Sequence, residues 1–158
     1  MKKLLFYELM VLQLLRKKQI SNELTKQDLY FGQHRMLSYI KNNNGCSQSD
    51  LASYLKITPA SVATSTKRLE KSGFIEKVVD ENNLRQNKLY LTDKGLKVWE
   101  DIGSFFDSLD EQTLTDISNE DIEKLTEILS KMIYNVTGKS IKEIELHTLF
   151  EQKGEENA

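Results

Sequence analysis

Ser47-Gln48-Ser49-Asp50-Leu51-Ala52-Ser53-Tyr54-Leu55, the link Lys56-Ile57, and then Thr58-Pro59-Ala60-Ser61-Val62-Ala63-Thr64-Ser65-Thr66-Lys67-Arg68-Leu69-Glu70-Lys71-Ser72-Gly73 spell two helices joined by a tight turn. Ser47 is an N-cap, and Asp50 stands three residues later in the reciprocal position of a capping box. Leu51, Ala52 and Leu55 give the short helix its apolar stripe. Thr58 is a second N-cap, followed by Pro59 at the first helical position, where a missing N–H costs nothing. Ile57, just before that cap, is placed for a hydrophobic staple. The second helix keeps Val62, Thr66 and Leu69 at helical spacing, and Gly73 closes it as a C′ glycine.

Ala52 and Val62 carry the spacing of a helix-turn-helix. A small residue in the first helix lets the second cross close by, and a β-branched residue ten positions later pins it there. The crossing leaves one face of the second helix free for a DNA major groove. That face holds Ala60, Ser61, Thr64 and Ser65, then Lys67 and Arg68. Small residues permit close approach to base edges, hydroxyls bond bases or phosphates, and cations neutralise phosphate. The candidate contacts also include Thr58 and, at the start of the first helix, Ser47 and Gln48. Capping alone explains Thr58 and Pro59, and solvation alone explains a lone Lys67 or Arg68. Their arrangement on one face points to DNA.

Working outward, Phe74–Val79 and Lys88–Leu91 read as two strands, with the polar stretch Asp80 to Asn87 as a hairpin tip. Asn83, Arg85, Gln86, Asn87 and Lys88 would form a wing whose Arg enters a minor groove, where the negative potential is enhanced. An Asn-rich tip is also an ordinary exposed turn; its place beside a helix-turn-helix favours the wing. Upstream, residues 4–20 form a helix apolar on most sides, through Leu4, Leu5, Leu9, Val11, Leu12, Leu14 and Leu15. Such a helix needs more than one partner. A second helix runs from about Gln33 to Lys41. Downstream, long helices start near Thr92 and Ser118, and a short one is expected within 139–150. The fold class is mainly α with a small β-hairpin wing: residues 31–95 form the winged helix-turn-helix. Residues 1–30 and 96–150 form a helical dimerisation region, and 151–158 a frayed tail.

Composition agrees. The 158 residues contain one Pro and seven Gly, too few for a sandwich or barrel with frequent turns. The net charge of −2 is uneven. Residues 1–55 carry eight Lys/Arg against four Asp/Glu, residues 56–99 nine against five, and residues 100–158 five against fifteen. A basic front and an acidic back suit a polyanionic partner. The single Cys46 excludes an internal disulfide and fits a cytoplasmic setting. The opening apolar run is broken by Glu8 and Gln13, lacks a cleavage site and is too short to span a bilayer. No membrane partner is expected.

Five pieces in order resemble the MarR (multiple-antibiotic-resistance regulator) family. They are Gly32-Gln33-His34-Arg35-Met36-Leu37; Ser47-Gln48-Ser49-Asp50-Leu51-Ala52; Thr58-Pro59-Ala60-Ser61-Val62; Arg68-Leu69-Glu70-Lys71-Ser72-Gly73-Phe74-Ile75; and Asp80, Arg85 with Leu91-Thr92-Asp93-Lys94-Gly95. The resemblance implies a homodimer with interleaved first and last helices, binding a palindromic operator in double-stranded DNA as a transcriptional regulator, commonly a repressor. It also implies a small, often aromatic effector that changes the spacing of the two half-sites. One departure concerns the wing. Asn83 stands where the family often has an Asp that buttresses the wing Arg, so the charge-assisted part of that bond is lost.

Two other readings compete. A winged helix used only for protein contacts would tend to carry apolar or acidic residues over 60–68, and here they are hydroxylic and basic. An enzyme would need a phosphate loop, a nucleophile elbow or a metal-ligand set, and none is visible. No cofactor is expected. His34 and His147 have no neighbouring second ligand, so no metal is assigned. The aromatics Phe6, Tyr7, Tyr30, Phe31, Tyr39, Trp99, Phe105 and Phe106 are candidates for an effector pocket or for core.

Overall fold

Four hydroxyl caps set the starts of four helices. Ser47, Thr58, Thr92 and Ser118 each adopt extended backbone, and each side chain accepts from the N–H three residues ahead. Each bond satisfies one of the orphan donors at a helix start and contributes about 1 kcal/mol. The structure, a computed structural model, describes residues 2–80 and 83–144, with the backbone alone at 83–86.

The element order is α1 (Lys2–Lys26), α2 (Phe31–Asn42), β1 (Cys46–Ser47), α3 (Gln48–Leu55), α4 (Pro59–Lys71), β2 (Ile75–Asp80), β3 (Asn83–Leu91), α5 (Asp93–Thr113), α6 (Asn119–Thr137) and a 3₁₀ turn over Ile141–Glu143. The sheet is antiparallel in the order β1-β3-β2. Its register places Cys46 opposite Leu89 and Ile75 opposite Leu91, with an irregularity at Val79/Asp80. The chain is thus mainly helical with a small wing, as expected.

The core lies under the winged region. Met36, Leu37 and Ile40 of α2 meet Leu51 and Leu55 of α3, Val62 and Leu69 of α4, Ile75 and Leu89 of the sheet, and Val98 and Ile102 of α5. Side chains of this size stabilise by roughly 1.5–3 kcal/mol each when fully buried. Leu24 and Leu29 bring the end of α1 into the same cluster.

Several boundaries differ from expectation. Helix α1 continues past residue 20 to Lys26, because nothing breaks it and Leu24 extends the buried stripe. Asp28, at φ 56°, then turns the chain. Helix α2 starts two residues before Gln33, whose buried side chain accepts from the Tyr30 N–H at 2.9 Å. Strand β3 reaches back to Asn83, because a ladder bonds main chain whatever the side chains. The two-residue β1 was not foreseen. Of the expected helix over 139–150, the described residues show the 3₁₀ turn; residues 145–150, with His147, and the tail lie outside them.

Much apolar surface stays uncovered at the far end. Leu24 is the one buried residue of α1, and α6 has none. Leu5, Phe6, Leu12 and Leu15 of α1 and Leu125, Ile128, Tyr134 and Val136 of α6 are all exposed. Arg16 ties α1 to the end of α5. It donates to Thr113 Oγ1 at 2.7 Å and to the Leu109 carbonyl at 3.4 Å, and it is paired with Asp110.

Candidate nucleic-acid interface

Helices α3 and α4 meet as the spacing required. Val62 is fully buried, and Ala52 packs against the same core. The turn between them passes through Lys56 in the left-handed region (φ 55°, ψ 42°), and the Ile57 N–H bonds the Ala52 carbonyl at 3.3 Å. Gln48 Nε2 donates to Thr66 Oγ1 at 2.5 Å, bolting the start of α3 to the middle of α4. Thr66 itself is fully buried and also bonds the Ala63 carbonyl.

With Val62, Thr66 and Leu69 turned inward, Ala60, Ser61, Ala63, Thr64, Lys67 and Arg68 are exposed and Ser65 is half-buried. Ala60, Ser61, Thr64 and Ser65 line a shallow hollow of about 350 Å³, open to solvent. The hollow sits over the first two turns of α4, where the helix N-terminus favours anions. Lys67 and Arg68 follow one turn further on. Arg68 is exposed, with its guanidinium carbon 5.9 Å from the centre of the Tyr30 ring.

The remaining candidates divide. Ser47 is buried; its hydroxyl accepts from the Asp50 N–H and donates to the Asp50 carboxylate. Gln48 is engaged with Thr66, and Thr58 shares a hydrogen bond with Ser61 Oγ at 2.9 Å. Asn87 is exposed on β3. Lys88 pairs with Asp80 across the hairpin at 3.3 Å, so it is less available to phosphate than the sequence suggested. The side chains of Asn83, Arg85 and Gln86 lie outside the described residues. The wing is held to α4 by Lys77, which pairs with Glu70 at 2.9 Å.

Behind the interface, α5 is locked to the exit of α4. The Thr92 hydroxyl donates to the Gly73 carbonyl at 2.6 Å, and its N–H donates to the Phe74 carbonyl at 3.1 Å. Lys94 Nζ bonds the Ser72 carbonyl at 2.8 Å and lies over the Phe74 ring.

The aromatics do not converge on one cavity. Tyr39 stacks on Tyr54 at 4.4 Å, Trp99 bonds Ser38 and carries Lys41 over its ring, and Phe106 meets His34 edge-on at 5.1 Å. A cleft of about 240 Å³ opens beside Tyr39 and Tyr54, bounded by His34, Arg35, Ser38 and Asn42. Burial lowers the His34 pKa and pushes the Cys46 thiol up to about 11. Cys46 therefore lacks the thiolate character of a reactive cysteine. Among the described residues no group of three or more His, Cys, Asp or Glu could hold a metal. No helix there is long and apolar enough to cross a membrane.

Nothing in the local pattern pointed to Tyr30 beside Arg68 or to Lys77 beside Glu70. Both contacts join residues that only the fold brings together.

The chain is similar to known proteins. A model of the MarR family matches residues 29–86. The helix-turn-helix-type transcriptional regulator YybA of Bacillus subtilis is 34% identical over 118 residues, covering 74% of this chain and 79% of the relative. The regulator BilQ of Clostridium symbiosum is 32% identical, covering 70% and 77%. Among solved structures, the MepR–DNA complex of S. aureus superimposes with a TM-score of 0.72 at 26% identity, covering 82% of this chain and 98% of that one.

Proposed function

Since the chain belongs to the MarR family of helix-turn-helix transcriptional regulators, which are not enzymes, we propose that it is a homodimeric repressor reading a two-fold symmetric operator in double-stranded DNA. The observation that carries this reading is the exposed face of α4. Buried Val62, Thr66 and Leu69 fix its orientation, so that small hydroxyls and two cations face outward together.

In this reading Ser61 and Thr64 meet base edges, and Ala60 and Ser65 permit the close approach. Lys67 and Arg68 neutralise phosphate, and Arg85 on the wing, among Asn83, Gln86 and Asn87, reaches backbone or minor groove. Three cations per subunit make about six phosphate contacts in a dimer, so log affinity is expected to fall against log salt with a slope near −5. The half-sites lie about one helical turn apart, roughly 10 base pairs centre to centre.

The dimer is supported by the uncovered apolar faces of α1 and α6, more surface than a monomer keeps in water. Residues 1–30 and 96–150 then serve as the dimerisation region and 31–95 as the reader. A small effector acting between the two regions is the expected releasing ligand, and the cytoplasm is the expected setting.

Selection of bound duplexes from a randomised library by the purified protein tests the reading. An inverted repeat with the steep salt slope supports it. Failure to bind any duplex would instead leave a winged-helix module for protein contacts. Sedimentation tests the dimer: a folded, soluble monomer at micromolar concentration would end that part of the proposal.

A further inference from the structure

Arg68 differs from Lys88, which is ion-paired with Asp80, in lying near an aromatic ring. Its guanidinium carbon lies 5.9 Å from the centre of the Tyr30 ring, on a different helix. Tyr30 is 65% exposed, so the core does not account for its aromatic side chain. Its backbone, by contrast, is rigidly placed. The Tyr30 N–H donates to Oε1 of the buried Gln33 at 2.9 Å, and its carbonyl accepts from the Gln33 and His34 N–H groups. A ring on a fixed backbone thus stands beside the last turn of α4.

An arginine near an aromatic ring keeps its N–H donors for phosphate while the ring limits its motion. Arg68 in water samples many rotamers, and most of that freedom is lost on binding. A ring that already confines the guanidinium in the free protein reduces this loss. Lys67, one residue away, has no such ring beside it among the described residues. The two adjacent cations therefore differ in kind.

We infer that Tyr30 is a positioning residue for DNA binding, with its ring pre-orienting Arg68 toward the phosphate backbone flanking the groove that α4 enters. The inference rests on the proposed DNA-reading function of α4. A cation–π contact at an exposed site corresponds to about two- to fivefold in affinity per subunit, and so roughly five- to twenty-fivefold in a dimer carrying two copies.

The test is fluorescence-anisotropy titration of a duplex selected from a random library by the wild-type protein, at two salt concentrations. The variants are Tyr30→Ala, Tyr30→Phe, Tyr30→Leu, Arg68→Ala and the double variant Tyr30→Ala/Arg68→Ala. Tyr30→Ala and Tyr30→Leu are expected to lose five- to twenty-fivefold, and Tyr30→Phe to stay within about twofold. Once Arg68 is Ala, the change at Tyr30 is expected to cost nothing further. Arg68→Ala makes the salt slope shallower by about two, one phosphate contact per subunit. Thermal unfolding separates positioning from folding, since Tyr30→Ala leaves the melting midpoint near that of wild type.

Several results would overturn the inference. Additive losses from Tyr30→Ala and Arg68→Ala would mean that the ring acts independently of the guanidinium. A loss with Tyr30→Phe as large as with Tyr30→Ala would give the role to the hydroxyl. Full binding by Arg68→Ala would remove the residue to be positioned while leaving the DNA-reading function intact. Absence of binding by the wild type to any selected duplex would instead refute the DNA reading itself.

Discussion

The α-carbon of Gly95 is pressed against the main-chain carbonyl of Phe74: a methyl group at position 95 would stand 1.9 Å from that oxygen. Helix α5 can therefore begin where it does only over a residue without a side chain. Gly95→Ala must push the first turn of α5 away from the exit of α4, and backbone cannot yield as a flexible side chain does. A loss of roughly 2–3 kcal/mol is expected, read as a lower urea midpoint with an unchanged slope. Thr92→Ala removes the cap and the bond to Gly73, and is expected to cost about 1–2 kcal/mol.

Base reading and backbone gripping are expected to separate by mutation. Thr64 is exposed in the hollow over the first turns of α4. Thr64→Ala should change which operator bases are preferred, by roughly 1–3 kcal/mol at the affected position. Arg85→Ala should weaken binding to most sequences alike and lower the salt slope by about one per site lost. Competition over a randomised operator library checks both. If Arg85→Ala rewrote base preference while Thr64→Ala left it unchanged, the two assignments would be reversed.

His34 makes the fold sensitive to mild acid. Burial lowers its folded-state pKa below 6.5, so between 6.5 and the folded value the unfolded chain binds more protons. Stability is then fully present above about pH 6.5 and falls as pH drops toward the folded value. Urea midpoints measured across this range are expected to decline in the wild type and to be flatter in His34→Gln.

Cys46 gives the opposite pH sign. Its folded pKa of about 11 lies above the ordinary 9.0, so the stability it contributes is complete below pH 9 and lost as pH rises through 11. At pH 8 the thiolate fraction in the folded state is roughly a hundredth of that in the unfolded chain. Alkylation by iodoacetamide should accordingly be slow in buffer and fast in denaturant. Fast labelling of the native protein would contradict the buried placement.

What the sequence revealed were features whose cause is local. Ser47, Thr58, Thr92 and Ser118 announce their helices because a cap acts within three residues. Ala52 and Val62 announce the crossing because it needs a small and a branched residue at fixed separation. Strand β1 stayed hidden, since two residues carry no period and their partners Leu89 and Lys88 come far later in the chain. Separation in the chain likewise hid the commitments of Gln48 to Thr66 and Arg68 to Tyr30, while that of Lys88 to Asp80 depends on the hairpin's register. Several of the polar residues read from the sequence as free contacts are therefore already engaged within the fold.

Helix α5 also joins two distant parts of the fold end to end. Its 21 residues span about 31 Å at 1.5 Å each. Thr92 fastens one end to the exit of α4, and Arg16 grips the other through Leu109, Asp110 and Thr113. If the Arg16 end is the fulcrum, a tilt of about 5° carries the Thr92 end through roughly 3 Å. That is close to the rise between neighbouring base pairs, about 3.4 Å. A tilt of a few degrees at one end of α5 would thus displace its other end, and the exit of α4 fastened to it, by a distance comparable to that rise.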